Sequence, residues 1–432
     1  MRFISTEGRA PEADLPTALF RGLAPDGGLY MPRGLPSLSR QEVKGIRGQP
    51  WSRVALEAAR RLLGQDLEDP GLEKVVKEAL DFPVPLVPLR ENLHVLELFH
   101  GPTLAFKDVG ARFMARLMAH FRDTDQGPLT VLTATSGDTG GAVAQAFQGL
   151  SGIRVVILFP DGKVTPRQER QFSTLGGNVT AVAVQGDFDD CQRLAKGAFR
   201  DPGLGDEMAL TSANSINVGR LLPQSFYYFL AWAQNPTPLL FSVPSGNFGN
   251  LTAGLMAGAM GLPEVKFLAA TNANDEFPEM LRTGVFTPRP SRKTLSTAMD
   301  VGDPSNLARI LHLYRDDLDA LRRDVSARSV SDAETRTCIR RVRDETGHVL
   351  DPHTAVGYVA LEEALEGMPE RTGILLATAH PSKFAEVVEP VLGTELPFPA
   401  RLARCLEKER KVTPLEPEQD ALHALLRGLE TV

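Results

Sequence analysis

Apolar residues fall along this chain in two alternating rhythms. Short, largely β-branched runs occur at 94–99 (HVLELF), 129–135 (LTVLTAT), 154–159 (RVVILF), 179–184 (VTAVAV), 238–243 (PLLFSV), 265–271 (VKFLAAT) and 374–379 (ILLATA), separated by segments of helix length. Runs that are apolar at every position suit strands covered on both faces, so the alternation predicts βαβ units and parallel sheets, an α/β fold. Before residue 95 the pattern is mixed: a turn at 25–32 (PDGGLYMP), a helical stretch at 53–64 (RVALEAARRLLG), then the proline-punctuated DFPVPLVPL. The rhythm breaks at 233–238 (AQNPTP), where a boundary is expected. Residues 286–306 read as loop and 307–325 as helix. Ser331 with Glu334 forms a capping-box signature ahead of a helix that stops at Gly347. The expected division is a mixed N-terminal α/β segment (1–95), a smaller α/β domain (96–235), a larger one (236–400) and a C-terminal helical tail (401–432).

One helix begins with a misfit. In HGPTLAFKDVGARFMARLMAHF (100–121), Val109, Phe113, Leu117 and Phe121 recur every four residues with Met114 and Met118 beside them, and Lys107 opens the run. Exposed N–H groups make a helix start positive, so a lysine there is unfavourable unless something compensates. Lys107 is therefore a candidate for chemistry.

Composition narrows the chemistry. At 432 residues, and about 150 per domain, two or three domains with substantial cores are expected. The formal net charge of −7 argues against nucleic acid or an anionic membrane surface as partner, so any anion must be bound locally. No apolar run reaches membrane-spanning length, and the N-terminus has no apolar leader core. The three cysteines, Cys191, Cys338 and Cys405, are scattered and unpaired in pattern, which fits a reducing compartment. A cytoplasmic protein is expected, monomeric or homodimeric. The histidines show no metal-ligand spacing, so no metal site is expected.

In parallel α/β sheets, ligands bind beyond the carboxyl ends of strands, where loops enter helix N-termini. After the 129–135 run comes SGDTGG, with Ser136, Asp138 and Thr139 following Thr135; after 238–243 comes PSGNFGN, with Gly246, Asn247, Phe248, Gly249 and Asn250. Both are small, polar, glycine-rich turns able to wrap backbone N–H groups around an anion. Either turn alone is equally well read as a tight connection. Neither matches a nucleotide-triphosphate P-loop or a dinucleotide fingerprint. A third cluster, SANSINVGR, holds Asn214, Ser215, Asn217 and Arg220, a set suited to phosphate or carboxylate unless it is simply solvated. Thr378 stands at the tip of the 374–379 run, where a hydroxyl also serves as a strand end or cap. A lysine, two anion cradles, an arginine cluster and a strand-end hydroxyl together suit a phosphorylated aldehyde cofactor and a second anionic ligand.

The ordered motifs HGPTLAFKD, TATSGDTG, PDGKVTPRQERQ, NSINVGR, VPSGNFGN, VGDPSN and ATAHPSKF resemble those of the threonine synthases, pyridoxal 5'-phosphate enzymes of fold type II (tryptophan synthase β-like), over nearly the whole chain. The resemblance implies two open parallel-sheet domains plus the N-terminal segment. It implies that Lys107 forms the Schiff base with the cofactor, that Gly246, Asn247, Phe248, Gly249 and Asn250 cradle its phosphate, and that Thr378 bonds its pyridine nitrogen. Asp138 falls where many relatives of the fold carry asparagine beside the phenolic oxygen, and a carboxylate there would repel a phenolate. Thr135, Ser136 and Thr139 are implied to hold the substrate carboxylate or phosphate, and Asn214, Ser215, Asn217 and Arg220 the phosphate of O-phospho-L-homoserine. The implied reaction yields L-threonine and phosphate from that substrate and water, by γ-elimination and β-addition. A phospholyase resembling threonine synthase, a threonine or serine dehydratase of the same fold, and a non-enzymatic α/β binding protein are the competing readings.

Overall fold

The computed structural model describes residues 1–122 and 127–429. Among them thirteen strands form three sheets: β1 (Phe3–Ser5), β2 (Tyr30–Pro32), β3 (Leu86–Arg90), β4 (Leu93–Glu97), β5 (Leu129–Ala134), β6 (Ile153–Pro160), β7 (Val179–Val184), β8 (Ala209–Ser212), β9 (Leu239–Pro244), β10 (Val265–Thr271), β11 (Val325–Ser329), β12 (Thr372–Ala377) and β13 (Thr413–Leu415). One sheet runs β11-β10-β9-β12-β4-β3 and is parallel except for the β3–β4 hairpin; a second runs β13-β7-β6-β5-β8 and is wholly parallel. β1 and β2 make a small antiparallel pair. All seven expected strands are present. Every residue of β5 and β9 is buried, as strands covered by helices on both faces require.

Pairing redraws the expected divisions. β4 pairs with β12, so the strand straddling residue 96 belongs to the later sheet, and β3 joins it from the segment assigned to 1–95. The tail beyond 400 is helical at Ala400–Leu406 and Gln419–Arg427 but also contributes β13, which pairs with β7; residues 430–432 of that tail lie outside the described residues. Strands of three to five residues such as β8, β11 and β13 carry too few alternations to stand out in sequence, and only their partners define them. The expected 307–325 helix is two, Leu307–Tyr314 and Leu318–Asp324, broken where Arg315 and Asp316 turn left-handed. The Ser331–Glu334 capping box and the stop at a left-handed Gly347 are both observed, around Asp332–Thr346.

The Lys107–Phe121 helix buries Val109, Phe113, Met114, Leu117 and Met118 at no measurable exposure, with Phe113 edge-to-face on Phe226 at 5.4 Å. Gly110 lets this helix approach the Val218–Leu221 turn: a Cβ there would lie 2.7 Å from the Arg220 carbonyl oxygen. Gly110→Ala should therefore force the two apart, at about 1–3 kcal/mol. Its denaturant midpoint should fall while that of Gly205→Ala, which meets nothing within 4 Å, holds or rises slightly.

Candidate active site

Five loops, each leaving the carboxyl end of a parallel strand, converge on one cleft of ≈ 1380 Å³. Lys107 arrives on the loop after β4, Asp138 after β5, Arg220 after β8, Asn247 after β9 and Thr378 after β12. The lysine loop is stitched to the end of β12: Phe106 N donates to the Thr378 carbonyl at 2.8 Å and His380 N to the Leu104 carbonyl at 3.0 Å. Leu104 takes a left-handed φ of 60° to make that crossing. Beneath Lys107, buried Asp108 accepts from Thr103 N (2.9 Å) and Thr103 Oγ1 (2.7 Å), closing the loop from below. These bonds fix where the amine stands.

The misfit lysine has its compensation. Burial holds the Lys107 amine below the usual lysine range, with nearby Lys383 and Arg220 pushing the same way and Asp138 opposing. Its side chain keeps 16% of its surface open toward the cleft, enough for a ligand to reach it. Lys107 Nζ lies 4.0 Å from Asp138 Oδ2. Asp138 Oδ1 accepts from Lys383 Nζ at 2.7 Å and Gln168 Nε2 at 3.0 Å. Burial alone would raise the Asp138 carboxyl, but the two ammonium groups and these hydrogen bonds reverse that and hold it far below the usual carboxylate range.

The turn after β9 fits an anionic group. It feeds the N-terminus of the Gly249–Ala259 helix through Phe248 at φ 57°, and a Cβ on Gly246 would lie 2.7 Å from the Met299 backbone. Asn250 Oδ1 takes both Tyr227 OH (2.6 Å) and Tyr228 OH (2.7 Å), which leaves its buried amide nitrogen without a partner. Asn306 Nδ2, close to Gly249, is likewise buried and unpartnered. Two orphaned donors beside a helix start are what a phosphate would satisfy. Asn247 braces the turn, donating to Ser215 Oγ at 2.6 Å and accepting from Ser305 N at 2.7 Å.

Arg220 is buried and spends Nη1 on the Ala213 carbonyl at 2.6 Å, whereas its Nε has no partner. Burial pushes its guanidinium down to about 10, with Asp108 opposing. Ser136 is exposed and Thr139 half-buried on the cleft wall, both with free hydroxyls; Ser215 and Asn214 line it as well. Two candidates serve the scaffold instead. Asn217 caps the Val218–Leu221 turn and gives its amide hydrogens to the Leu19 and Ser212 carbonyls, so no donor remains for an anion and it does not line the cleft. Thr135 lines the cleft, but its Oγ1 accepts from Gly137 N and Gly140 N and shapes the loop. Lys383, Asn306 and Arg309 were missed by residue-by-residue reading. The motifs HPSKF and VGDPSN contain the first two, but nothing local shows that they turn inward. Arg309, fully buried, holds the Ser215 and Ile216 carbonyls.

A lysine set between two open parallel sheets, facing a glycine-turn anion cradle, defines the class of pyridoxal-phosphate-dependent α/β enzymes. The family model "Pyridoxal-phosphate dependent enzyme" matches residues 80–378, flanked by "Threonine synthase N terminus" at 2–80 and "Threonine synthase, C-terminal" at 354–426. The chain is 45% identical to threonine synthase of Serratia marcescens over 93% of its length and 94% of that protein. It superposes on the crystal structure of threonine synthase from Escherichia coli with a TM-score of 0.93 at 42% identity, and on that of PLP-bound threonine synthase from Brucella melitensis with 0.93 at 36%, each covering 99% of both chains. The chain belongs to the threonine synthase family of pyridoxal-phosphate-dependent enzymes.

Gly246→Ala should weaken cofactor retention by about tenfold or more, since the added methyl meets backbone rather than a yielding side chain. Equilibrium dialysis against pyridoxal phosphate measures it; retention equal to wild type would remove the turn from the cofactor site.

Proposed function

We propose that this chain converts O-phospho-L-homoserine and water to L-threonine and phosphate, using pyridoxal phosphate held by Lys107, the 246–250 turn and Thr378. The observation that carries the reading is one cleft that brings together the half-buried Lys107 and two clusters suited to anions, the glycine turn after β9 and the Arg220 cluster after β8. A dehydratase acting on an unphosphorylated amino acid has no use for the second. A cytoplasmic setting goes with the reading, as do the three free cysteines.

When bound, the cofactor supplies an electron sink that acidifies the amino acid's Cα and Cβ and permits loss of phosphate from Cγ. The chain supplies everything else. Lys107, whose amine burial holds below the usual lysine range, is the base that takes the Cα proton and the group that returns protons to the substrate carbons. Arg220, with an unpartnered Nε, and the neighbouring Ser215 and Asn214 receive the substrate phosphate and keep it aligned with the bond to be broken. Ser136 and Thr139 bind the carboxylate. The free phosphate, retained at Arg220, then assists addition of water at Cβ. Thr378, a neutral hydroxyl, leaves the cofactor ring less protonated than a carboxylate would, which moderates the electron sink.

Product analysis after mixing with O-phospho-L-homoserine tests the reading: threonine and phosphate in equal amounts are expected, whereas a keto acid would make the protein a phospholyase. Arg220→Ala should cut kcat/KM for the phosphorylated substrate by about 30-fold or more, the cost of unpairing a buried charge. Lys107→Ala should abolish the yellow absorbance of the loaded protein.

A further inference from the structure

Lys383 has no role in the reading above, yet it is among the least accessible ionisable groups of the molecule, with no exposed side-chain surface. It stands on the short turn Pro381–Phe384, five residues past Thr378, and its Nζ bridges the Thr103 carbonyl (2.7 Å) and Asp138 Oδ1 (2.7 Å). Asp138 is bonded unevenly. Oδ1 takes both Lys383 and Gln168, and Oδ2 is left turned toward Lys107.

We propose that Lys383 is a positioning residue that cancels the charge of Asp138 and so sets how strongly Lys107, and the cofactor joined to it, hold a proton. A lone carboxylate 4.0 Å from the amine would favour the protonated form of Lys107. With the second ammonium bonded to it, the carboxylate is held in place, and its pull on Lys107 is offset. The inference rests on Lys107 being the cofactor lysine. The charged groups facing Lys107 are Asp138 on the Asp138–Phe147 helix, Lys383 on its turn and Arg220 on the Val218–Leu221 turn, while Asp108 on its own helix faces Thr103. Lys383 is faced in addition by Asp108, His380 and Cys405. Of these, only Asp138 bonds both to Lys383 and, within 4.0 Å, to Lys107. The arrangement also removes the conflict that a carboxylate beside a phenolate posed, since the pair presents no net charge to the cofactor.

The test is the pH midpoint of the visible band of the cofactor-loaded full chain, together with the pH dependence of Lys107 acylation in the cofactor-free chain, read by peptide mass spectrometry. Lys383→Met should raise both midpoints by about one to three units and Asp138→Asn should lower them. The double variant should return toward wild type, and Lys383→Arg should stay near it. Opposite shifts that cancel in the double variant are a signature a purely structural lysine would not give. If Lys383→Met does not fold, Asp138→Asn and the double variant still decide: a lowered midpoint that the second substitution restores supports the proposal, and equal midpoints overturn it. Shifts of the same sign in the two single variants, or none, overturn it as well. A wild-type chain that forms no visible band would instead refute the assignment of Lys107.

Discussion

Two ammonium groups, a guanidinium and two carboxylates share one water-poor corner between the sheets, and the cost of holding those charges out of water governs what surrounds them. A buried charge is tolerated only where partners replace its hydration. Asp108 has the Thr103 amide and hydroxyl; Asp138 has Lys383 and Gln168; Lys383 has Asp138 and a carbonyl. Two groups are left short. Lys107 has a carboxylate oxygen 4.0 Å away and the Phe106 ring at 5.8 Å, neither a hydrogen bond, and the Nε of Arg220 has nothing. The unfilled positions in an otherwise completed set are the ones a ligand can satisfy, because a ligand there recovers desolvation already incurred in folding.

The same bonds join the two halves of the molecule. Lys383 follows β12 of one sheet and Asp138 follows β5 of the other, so their buried ion pair ties the loops of the two sheets together. Asn247 after β9 reaches Ser215 after β8, and Arg309 holds the Ser215 and Ile216 carbonyls from the opposite side. The two glycine-rich turns are thus placed relative to one another by polar contacts across the gap as well as by the core beneath it. The C-terminal strand β13 adds a covalent return, taking the chain from the first sheet back to β7 of the second. Distances between catalytic groups on different loops depend on such links, since an error of about 1 Å in positioning is costly to rate.

Much of this was legible in the sequence, for identifiable reasons. Largely buried parallel strands are nearly continuous apolar runs, and the seven expected ones were visible; the loops after them could be ranked because function in such sheets collects at strand ends. Lys107 was conspicuous because its charge contradicts its helix position. What was hidden depends on direction. Asn217 and Arg220 lie three residues apart in one polar cluster, yet the first turns both amide hydrogens into the scaffold and the second keeps a free edge. Lys383 reads as an ordinary lysine because nothing local shows that its partner lies 245 positions earlier in sequence, at Asp138. Domain limits were hidden too, since β4 finds its neighbour in β12, beyond four of the five strands of the other sheet.

On the proposed function, the division of cations between the two candidate anion sites follows from what each would have to do. A phosphate that stays bound through every turnover is adequately held by neutral donors, and the 246–250 turn offers backbone N–H groups, a helix start and the orphaned amides of Asn250 and Asn306. A phosphate monoester that arrives as part of a substrate and leaves as product carries close to two negative charges at neutral pH, and those charges enter and depart in each cycle. Matching them requires full cationic charge that is present beforehand but not already neutralised. With Lys383 paired to Asp138, Arg220, whose Nε is unpartnered, supplies such a cation at the proposed substrate-phosphate site. The buried pair therefore lets the chain keep a carboxylate next to its reactive amine without giving up the net positive field that the proposed substrate needs.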